Sequence, residues 1–388
     1  MTTLAEAETR ERAEPSGSVH PPRLLSLDVF RGITIAGMLL VNNPGTWEHV
    51  YAPLSHAAWN GATPADLIFP FFLFIVGIAT TLSLGSLLDR GLGRGAVLRR
   101  AAVRAVIIFG LGLLLQGFPH YHLGHLRTLG VLQRIALSYL VGAIIMLWTG
   151  VRGQLAALAA VLLGYWVLLV VVPVPGIGHG TLEPDLNLSN WLDYRLIGPN
   201  HLPRDPGTWD PEGILSTLGA IGTVLCGILA GHWIRTTRPR STTVLGLAGA
   251  GGIAMVLGLL WGVGFPINKS LWTGSFVLFS AGVASLVLAG LFWLIDGRGH
   301  RGWTAPFLVF GTNALAAYWL SSVIAIVFIW VVVHDAGEAM VLRTYLYERV
   351  FASWLSPSGA SLAYAVVYVL LWLALLTPLY RRRIFIRI

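Results

Sequence analysis

The segment 55–70 brings a histidine and a carboxylate close together in sequence, and both groups can take part in proton transfer. An imidazole can serve as a general base or as a nucleophile, so His56 is a candidate for either role. The run Thr63-Pro64-Ala65-Asp66 has the order of a helix start, with a threonine cap, a proline at the first position and a carboxylate at the third. Capping alone explains Asp66, but a carboxylate near a histidine can also orient the imidazole, and the two roles are compatible.

Asn42 precedes this segment, in the run Asn42-Asn43-Pro44-Gly45. Asparagine before proline and glycine is ordinary turn chemistry. The same amide can also donate to an oxygen that becomes negative during acyl transfer. Both interpretations stay open at this point.

Several polar residues lie inside apolar runs, where they are costly and often functional. Asp28 and Arg31 are three residues apart, so they share one helical face and form either a structural ion pair or an anchor for a ligand phosphate. Arg134 either binds a ligand or extends towards polar surroundings. Asn313 and Tyr318 either contact a ligand or hydrogen-bond between helices.

Two further motifs belong to polar connections. The run Asp210-Pro211-Glu212-Gly213 repeats the cap pattern, and it leaves the role of Glu212 open. Lys269 is the only lysine of the chain, and every other basic residue except histidine is an arginine. This suggests that position 269 requires a compact ammonium group.

Membrane helices must position these side chains, because 55% of the 388 residues are apolar and only 11% are charged. We predict an all-α, polytopic integral membrane helical bundle that occupies residues 23–388, after a disordered cytoplasmic tail at 1–22. About ten spans are expected, near 24–42, 65–88, 101–117, 128–148, 155–173, 213–234, 243–264, 271–294, 305–333 and 361–379.

With ten spans, most of the 26 lysine and arginine residues fall on one side of the membrane. The positive-inside rule makes this side cytoplasmic, and it places both termini there. Most histidines, including His56, fall on the other side. We therefore expect the chemistry outside or at mid-membrane depth.

The net charge of +8 is spread over the ends of many loops. This distribution predicts contact with the anionic lipids of a bilayer and excludes nucleic acid as a partner. Cys226 is the single cysteine, so neither a disulfide nor a thiolate metal site is expected, and no metal site is predicted.

Two long external connections, about 174–212 and 334–360, are too polar to span and too long for turns, which favours structured lids or substrate loops. The chain shows no internal repeat, which argues against many secondary transporter folds.

From residue 23 onwards the chain resembles the catalytic domain of the heparan-alpha-glucosaminide N-acetyltransferase family. The motifs that carry the resemblance are Leu27-Asp28-Val29-Phe30-Arg31-Gly32, Val41-Asn42, His56-Ala57-Ala58-Trp59-Asn60-Gly61, Ala65-Asp66-Leu67-Ile68-Phe69-Pro70, Gly130-Val131-Leu132-Gln133-Arg134, Asp210-Pro211-Glu212-Gly213-Ile214-Leu215 and Pro266-Ile267-Asn268-Lys269-Ser270-Leu271-Trp272.

The resemblance implies an acetyl-CoA-dependent acyltransferase that moves an acetyl group from cytoplasmic acetyl-CoA to the amine of an amino sugar or glycan across the membrane. It also implies that His56 is catalytic and that Asn42 lies beside the thioester. Cytoplasmic arginines would hold the phosphates of the donor, because a polyanion cannot enter the hydrocarbon core. We predict His56, Asn42 and Asp66 as catalytic, Asp28, Arg31, Arg100, Arg104, Arg134, Asn313 and Tyr318 as donor-binding, and Trp59, Asn60, Glu212, Asn268 and Lys269 as acceptor-binding.

Two alternatives stay open. His56 can accept the acetyl group covalently or act as the base for direct attack by the amine. The same polar residues would also suit an amino-sugar permease that performs no acetyl transfer. The expected location is a bacterial inner membrane, and a homodimer is a possible assembly.

Overall fold

The structure is a computed structural model that describes residues 24–203, 209–335 and 337–386. The predicted tail at 1–22 lies outside the described residues. The described part contains thirteen α-helices and one two-stranded antiparallel sheet. In chain order these are α1 (Leu25–Asn42), α2 (Pro64–Asp89), α3 (Arg94–Gly117), α4 (Val131–Trp148), α5 (Val151–Val171), α6 (Leu188–Ile197), α7 (Ser216–Arg235), α8 (Arg240–Trp261), α9 (Gly274–Leu291), α10 (Ala305–Thr312), α11 (Ala314–Trp330), β1 (Val332–Asp335), β2 (Glu338–Val341), α12 (Leu342–Tyr345) and α13 (Pro357–Arg381).

Eight of the described helices are long and apolar enough to cross a membrane, and the bent pair α10 and α11 would make a ninth. The all-α polytopic bundle is therefore confirmed, and the chain is an integral membrane protein. Helix α3 covers the predicted span at 101–117, and its 24 residues extend about 36 Å. The count of ten spans and the cytoplasmic location of the termini stay predictions.

The span predicted over 305–333 is not one straight helix, because α10 and α11 meet at Asn313 with a bend of 83°, which makes this stretch a broken span or a re-entrant loop. Asn313 has φ −124° and ψ 38°, which is outside the helical region. The amide of Asn313 bonds to the backbone of Ile384 and Ile386, so a contact with the segment after α13 stabilises the break.

Glycines allow α10 to pack directly against α1 near this break. A Cβ atom on Gly32 would collide with the carbonyl of Phe307, and one on Gly311 would collide with the carbonyl of Asp28. Small residues of this kind let two membrane helices approach backbone to backbone. The contact places the start of α1 beside the α10–α11 junction.

If successive spans cross the membrane in opposite directions, their connections fall into two sets, which we call the histidine end and the arginine end. The histidine end consists of the described parts of 43–63, 118–130, 172–215, 262–273 and 331–356. The arginine end consists of residues 90–93, 149–150, 236–239, 298–304 and 382–386, with the adjoining helix termini. Both long connections at the histidine end contain regular structure, α6 in the first and the β1–β2 hairpin in the second, where Val332 pairs with Val341.

Candidate active site

His56, Asp66 and Lys269 form a compact cluster at the histidine end. The Nδ1 atom of His56 lies 2.8 Å from Oδ1 of Asp66. The Nζ atom of Lys269 lies 3.2 Å from the same carboxylate oxygen and 3.1 Å from Nδ1 of the imidazole. When Nδ1–H donates to the carboxylate, Nε2 carries the lone pair that can accept a proton or attack a carbonyl, and Nζ of Lys269 lies 3.4 Å from it.

The start of α2 fixes the carboxylate of this cluster. The Oδ2 atom of Asp66 accepts the backbone N–H groups of Thr63 and Ala57, each at 3.0 Å, so the predicted capping pattern is confirmed. Oδ1 remains for His56 and Lys269. Asp66 therefore caps a helix with one oxygen and contacts the imidazole with the other, and its side chain is only 1% exposed.

A second loop, 265–273, holds Lys269 against the loop 43–63, which carries His56. The N–H of Gly61 donates to the carbonyl of Ile267 at 2.7 Å, and Nδ2 of Asn268 donates to Oδ1 of Asn60 at 3.1 Å. Gly61 has φ +103°, a conformation that glycine adopts at little cost. Asn60 and Asn268 thus join two loops that lie 208 residues apart in sequence.

A cavity of about 320 Å³, here called the histidine cavity, opens beside this cluster. Of the predicted site residues, it is lined by Asn42, His56, Trp59, Asp66, Glu212 and Lys269. Trp59 is fixed by its indole N–H, which donates to the carbonyl of Leu182 at 2.9 Å, and by an edge contact with Trp209. Asn60 and Asn268 are not among the lining residues.

Glu212 is held on the wall of the cavity by an arginine that sequence reasoning did not select. Arg127 donates to Oε2 of Glu212 at 2.5 Å and to both oxygens of Asp210, at 2.6 and 2.8 Å. Burial disfavours the charge of Arg127, but the two carboxylates raise its pKa above the usual value. The helix start predicted at 210–213 was wrong, because α7 begins at Ser216 and has no side-chain cap. Asp210 instead accepts the N–H of Glu212 at 2.8 Å in a turn, and the salt bridge with Arg127 holds this turn.

Lys269 is the cation closest to the imidazole. Burial lowers the pKa of its ammonium below the usual value, while the carboxylates of Asp66 and Glu212 act in the opposite direction. The contacts with Asp66 and His56 explain why a compact ammonium, and not a planar guanidinium, suits this position.

Arg134 lies deep in the bundle below the histidine cavity, away from the cavity at the arginine end. It is 1% exposed, it donates to the side chain of Ser216 and to the carbonyl of Gly213, and it stacks 5.0 Å from the ring of Trp272. It thus holds the chain after Glu212 against the loop that carries Lys269. These contacts differ from the donor-binding role predicted for it.

A second cavity, of about 410 Å³, lies towards the arginine end and is called the arginine cavity. Asp28, Arg31 and Arg104 line it among the predicted donor-binding residues. Nη1 of Arg31 lies 3.2 Å from Oδ1 of Asp28, so the predicted pair exists. Arg100 is exposed and is not among the lining residues. Much of the remaining wall is apolar, with Phe72, Ile75, Val76, Ile108, Ile135 and Leu315.

The two cavities lie about one helical turn apart along the same helices. On α2, Ile68 and Phe69 line the histidine cavity and Phe72 lines the arginine cavity. On α4, Val131 lines the first and Ile135 the second. Four residues of helix extend about 6 Å, so little protein separates the two spaces.

A third cavity, of about 250 Å³, adjoins the histidine cavity and shares Met38 and Asn42 with it. Tyr318 lines this side cavity and not the arginine cavity, which places it away from the predicted donor contacts. Gln116, Ser321 and Ser322 add uncharged polar groups that sequence reasoning missed. Their only sequence signal is polarity within apolar runs, which many structural residues share.

Asn313 does not line the arginine cavity, although its neighbours Thr312 and Ala314 do. Its side chain instead binds the backbone of the segment that follows α13. Within the described residues, no group of three or more His, Cys, Asp or Glu side chains is arranged to hold a metal ion.

Comparison with known proteins shows the family to which the sequence is similar. The family model described as "Heparan-alpha-glucosaminide N-acetyltransferase, catalytic" matches residues 23–260. The chain is 32% identical to heparan-alpha-glucosaminide N-acetyltransferase from Homo sapiens, over 78% of this chain and 53% of that protein. It is 30% identical to the protein of the same name from Mus musculus, over 81% of this chain and 57% of that protein. The chain therefore spans about half the length of the curated relatives it matches.

Proposed function

Because this chain belongs to the heparan-alpha-glucosaminide N-acetyltransferase catalytic family, we propose that it transfers an acetyl group from acetyl-CoA to an amine on the other side of the membrane. One observation supports the proposal above others. An imidazole oriented by a buried carboxylate faces a cavity that lies one helical turn from a second cavity with arginines on its wall.

The shape and charge of the arginine cavity fit the proposed donor. Arg31 and Arg104 supply cations for phosphates, and the apolar wall suits a thin, uncharged pantetheine arm. Bound there, acetyl-CoA would supply an activated acetyl thioester directed towards the histidine cavity. The nucleotide would stay near the arginine end, since its charges are too costly to bury in the bundle.

The reaction joins the acceptor nitrogen to the acetyl carbon and breaks the bond between that carbon and sulfur. A protonated amine loses two protons in total, of which one ends on the thiol of CoA and the other enters the solvent. We assign the removal of a proton from the amine to Nε2 of His56, because Asp66 holds Nδ1. Attack by Nε2 on the acetyl carbon is the covalent variant of this scheme.

The histidine cavity also offers groups for the acceptor and for the developing oxyanion. Asn42 lines this cavity and the side cavity, so its amide is available to donate to a carbonyl oxygen. The Glu212 carboxylate and the Trp59 ring suit the ammonium and the apolar face of an amino sugar. We propose an amino sugar, free or at the end of a glycan, as the acceptor.

The test uses purified protein in liposomes, radiolabelled acetyl-CoA and a panel of amino sugars. Label should pass to the amine with the wild type and be lost with His56→Ala. His49→Ala is the matched control, since His49 lies in the same loop but does not line the histidine cavity. Movement of solute across the liposome without any acetylation would contradict the proposal and favour a permease.

A homodimer and a bacterial plasma-membrane location are further proposals that rest on the sequence alone. Mass measurement of the detergent-solubilised protein by light scattering would test the first. Fractionation of the native cells would test the second.

A further inference from the structure

The chain turns back after α13, and residues 384–386 lie against the arginine cavity. Phe385 and Ile386 line this cavity together with Thr312 and Ala314 from the α10–α11 junction. An apolar stretch after the last span gives no hint of such a position in the sequence. The segment thus adds an apolar wall to a cavity whose charged groups come from α1 and α3.

Asn313 fixes this segment with both ends of its amide. Nδ2 donates to the carbonyl of Ile384 at 3.3 Å, and Oδ1 accepts the N–H of Ile386 at 2.9 Å. The two hydrogen bonds straddle Phe385 and satisfy its flanking backbone groups much as a neighbouring strand would. Asn313 is 1% exposed, so loss of these partners would leave a buried amide unsatisfied.

The same junction is tied to the charged part of the cavity. Nη1 of Arg31 lies 3.3 Å from the carbonyl of Gly311, and it also contacts Asp28. Gly311 in turn packs on the backbone of Asp28, with no room for a side chain. The C-terminal segment, the helix junction and the start of α1 are therefore one connected unit on one side of the cavity.

We infer that Phe385 and Ile386 are binding residues for the pantetheine arm of an acyl-CoA, and that Asn313 is the positioning residue that holds them in the wall. The inference rests on the proposed function for the identity of the ligand. The position of Phe385 and Ile386 in the cavity wall rests on the contacts of residues 384–386 described above. The chemistry is suited to a thin, uncharged arm, because Phe385 and Ile386 add apolar wall to a cavity that arginines also line.

Binding of CoA to the purified full-length protein tests this inference without any acceptor. Calorimetric titration and the CoA-dependent rise in Tm would be measured for the wild type, Phe385→Ala and Asn313→Ala. The matched control is Ile384→Ala, because that side chain lies next to Phe385 in the same segment but does not line the cavity. The Kd for CoA should rise roughly tenfold or more in the first two variants and stay within roughly twofold in the control.

A kinetic split separates positioning from mere folding. In Asn313→Ala the KM for acetyl-CoA should rise. The KM for the acceptor and the kcat at saturating acetyl-CoA should stay unchanged. A purely structural role would instead lower the Tm without ligand and change both KM values. Phe385→Leu should restore most of the CoA affinity, since it refills the apolar wall.

Equal CoA affinity in Phe385→Ala and Ile384→Ala would overturn the inference, as would a wild type that does not bind CoA. A wild type that binds CoA but acetylates no amine would refute the proposed function and leave this inference standing. The CoA-binding and acetylation assays therefore test the proposed function and the role of Phe385 separately.

Discussion

Replacement of Asp66 by asparagine tests the orientation of the imidazole while it preserves the helix start. Oδ2 of Asp66 accepts two backbone N–H groups, and the amide oxygen of an asparagine can keep both. The amide nitrogen must then face His56 in place of Oδ1. Because that nitrogen donates, Nδ1 can only accept, and the hydrogen moves to Nε2, where it blocks proton removal from the amine.

The expected loss is large. A carboxylate-to-amide change beside a catalytic histidine of a serine protease lowers kcat about 10⁴-fold, because it selects the wrong tautomer. The present geometry is comparable, with a 2.8 Å contact to a carboxylate that is 1% exposed. We expect Asp66→Asn to reduce turnover by about 10³- to 10⁴-fold, or about 4 to 5.5 kcal/mol of transition-state stabilisation.

Initial rates of acetyl transfer at saturating acetyl-CoA, with thermal unfolding measured in parallel, would check this value. Asp89→Asn is the control, since Asp89 is a largely exposed carboxylate paired with Arg235 at the arginine end. Its rate should match the wild type. Turnover of a folded Asp66→Asn variant within tenfold of the wild type would refute the assigned role of Asp66.

Three further outcomes follow from charged side chains. Lys269→Met should keep the fold but raise the KM for the amine acceptor and change the pH profile of kcat/KM, because an ammonium beside the imidazole is lost; an unchanged profile would contradict this. Arg104→Gln should raise the KM for acetyl-CoA roughly tenfold, whereas Arg100→Gln, outside the cavity, should leave it unchanged. Asp193 lies buried in α6, where its Oδ1 accepts the N–H of Ile214. Burial raises the pKa of its carboxyl to about 7, so its protonated form stabilises the fold below pH 4 and this contribution is lost as the pH rises through 7. The Tm of Asp193→Asn minus that of the wild type should therefore increase between pH 5 and 8. A Tm difference that does not change with pH would contradict the raised pKa of Asp193.

Sequence patterns identified the local part of the site and missed what long-range packing contributes. The cap at Thr63 and Asp66 and its histidine partner lie within eleven residues, so helix-start rules sufficed to relate them. Lys269 joins the cluster from 213 residues away, and only its being the single lysine pointed to it. No local rule pairs two such loops, since tertiary contacts decide their register.

Interior polar residues were harder to assign. Arg134 and Tyr318 were predicted to bind the donor because polar groups in membrane helices are often functional. The structure places Arg134 in contact with Ser216 and Trp272, and Tyr318 on the side cavity. Hydropathy gives the depth of a residue along a helix but not the face on which it lies, and neighbouring helices decide that. The break at Asn313 was missed for a related reason, because its partners lie some 70 residues further along the chain.

The narrow partition between the histidine and arginine cavities also determines where an energised membrane exerts its force. If the two cavities open to opposite compartments, as the proposed function requires, water in them would place nearly the whole voltage across one helical turn of about 6 Å. A unit charge that crossed this turn would exchange about 2.3 kcal/mol for every 100 mV. An acetyl group carries no charge, but the proton that the proposed reaction delivers from the amine to the thiol of CoA would cross the same turn. The proposed transfer should therefore respond to the membrane voltage through this proton and not through the acetyl group.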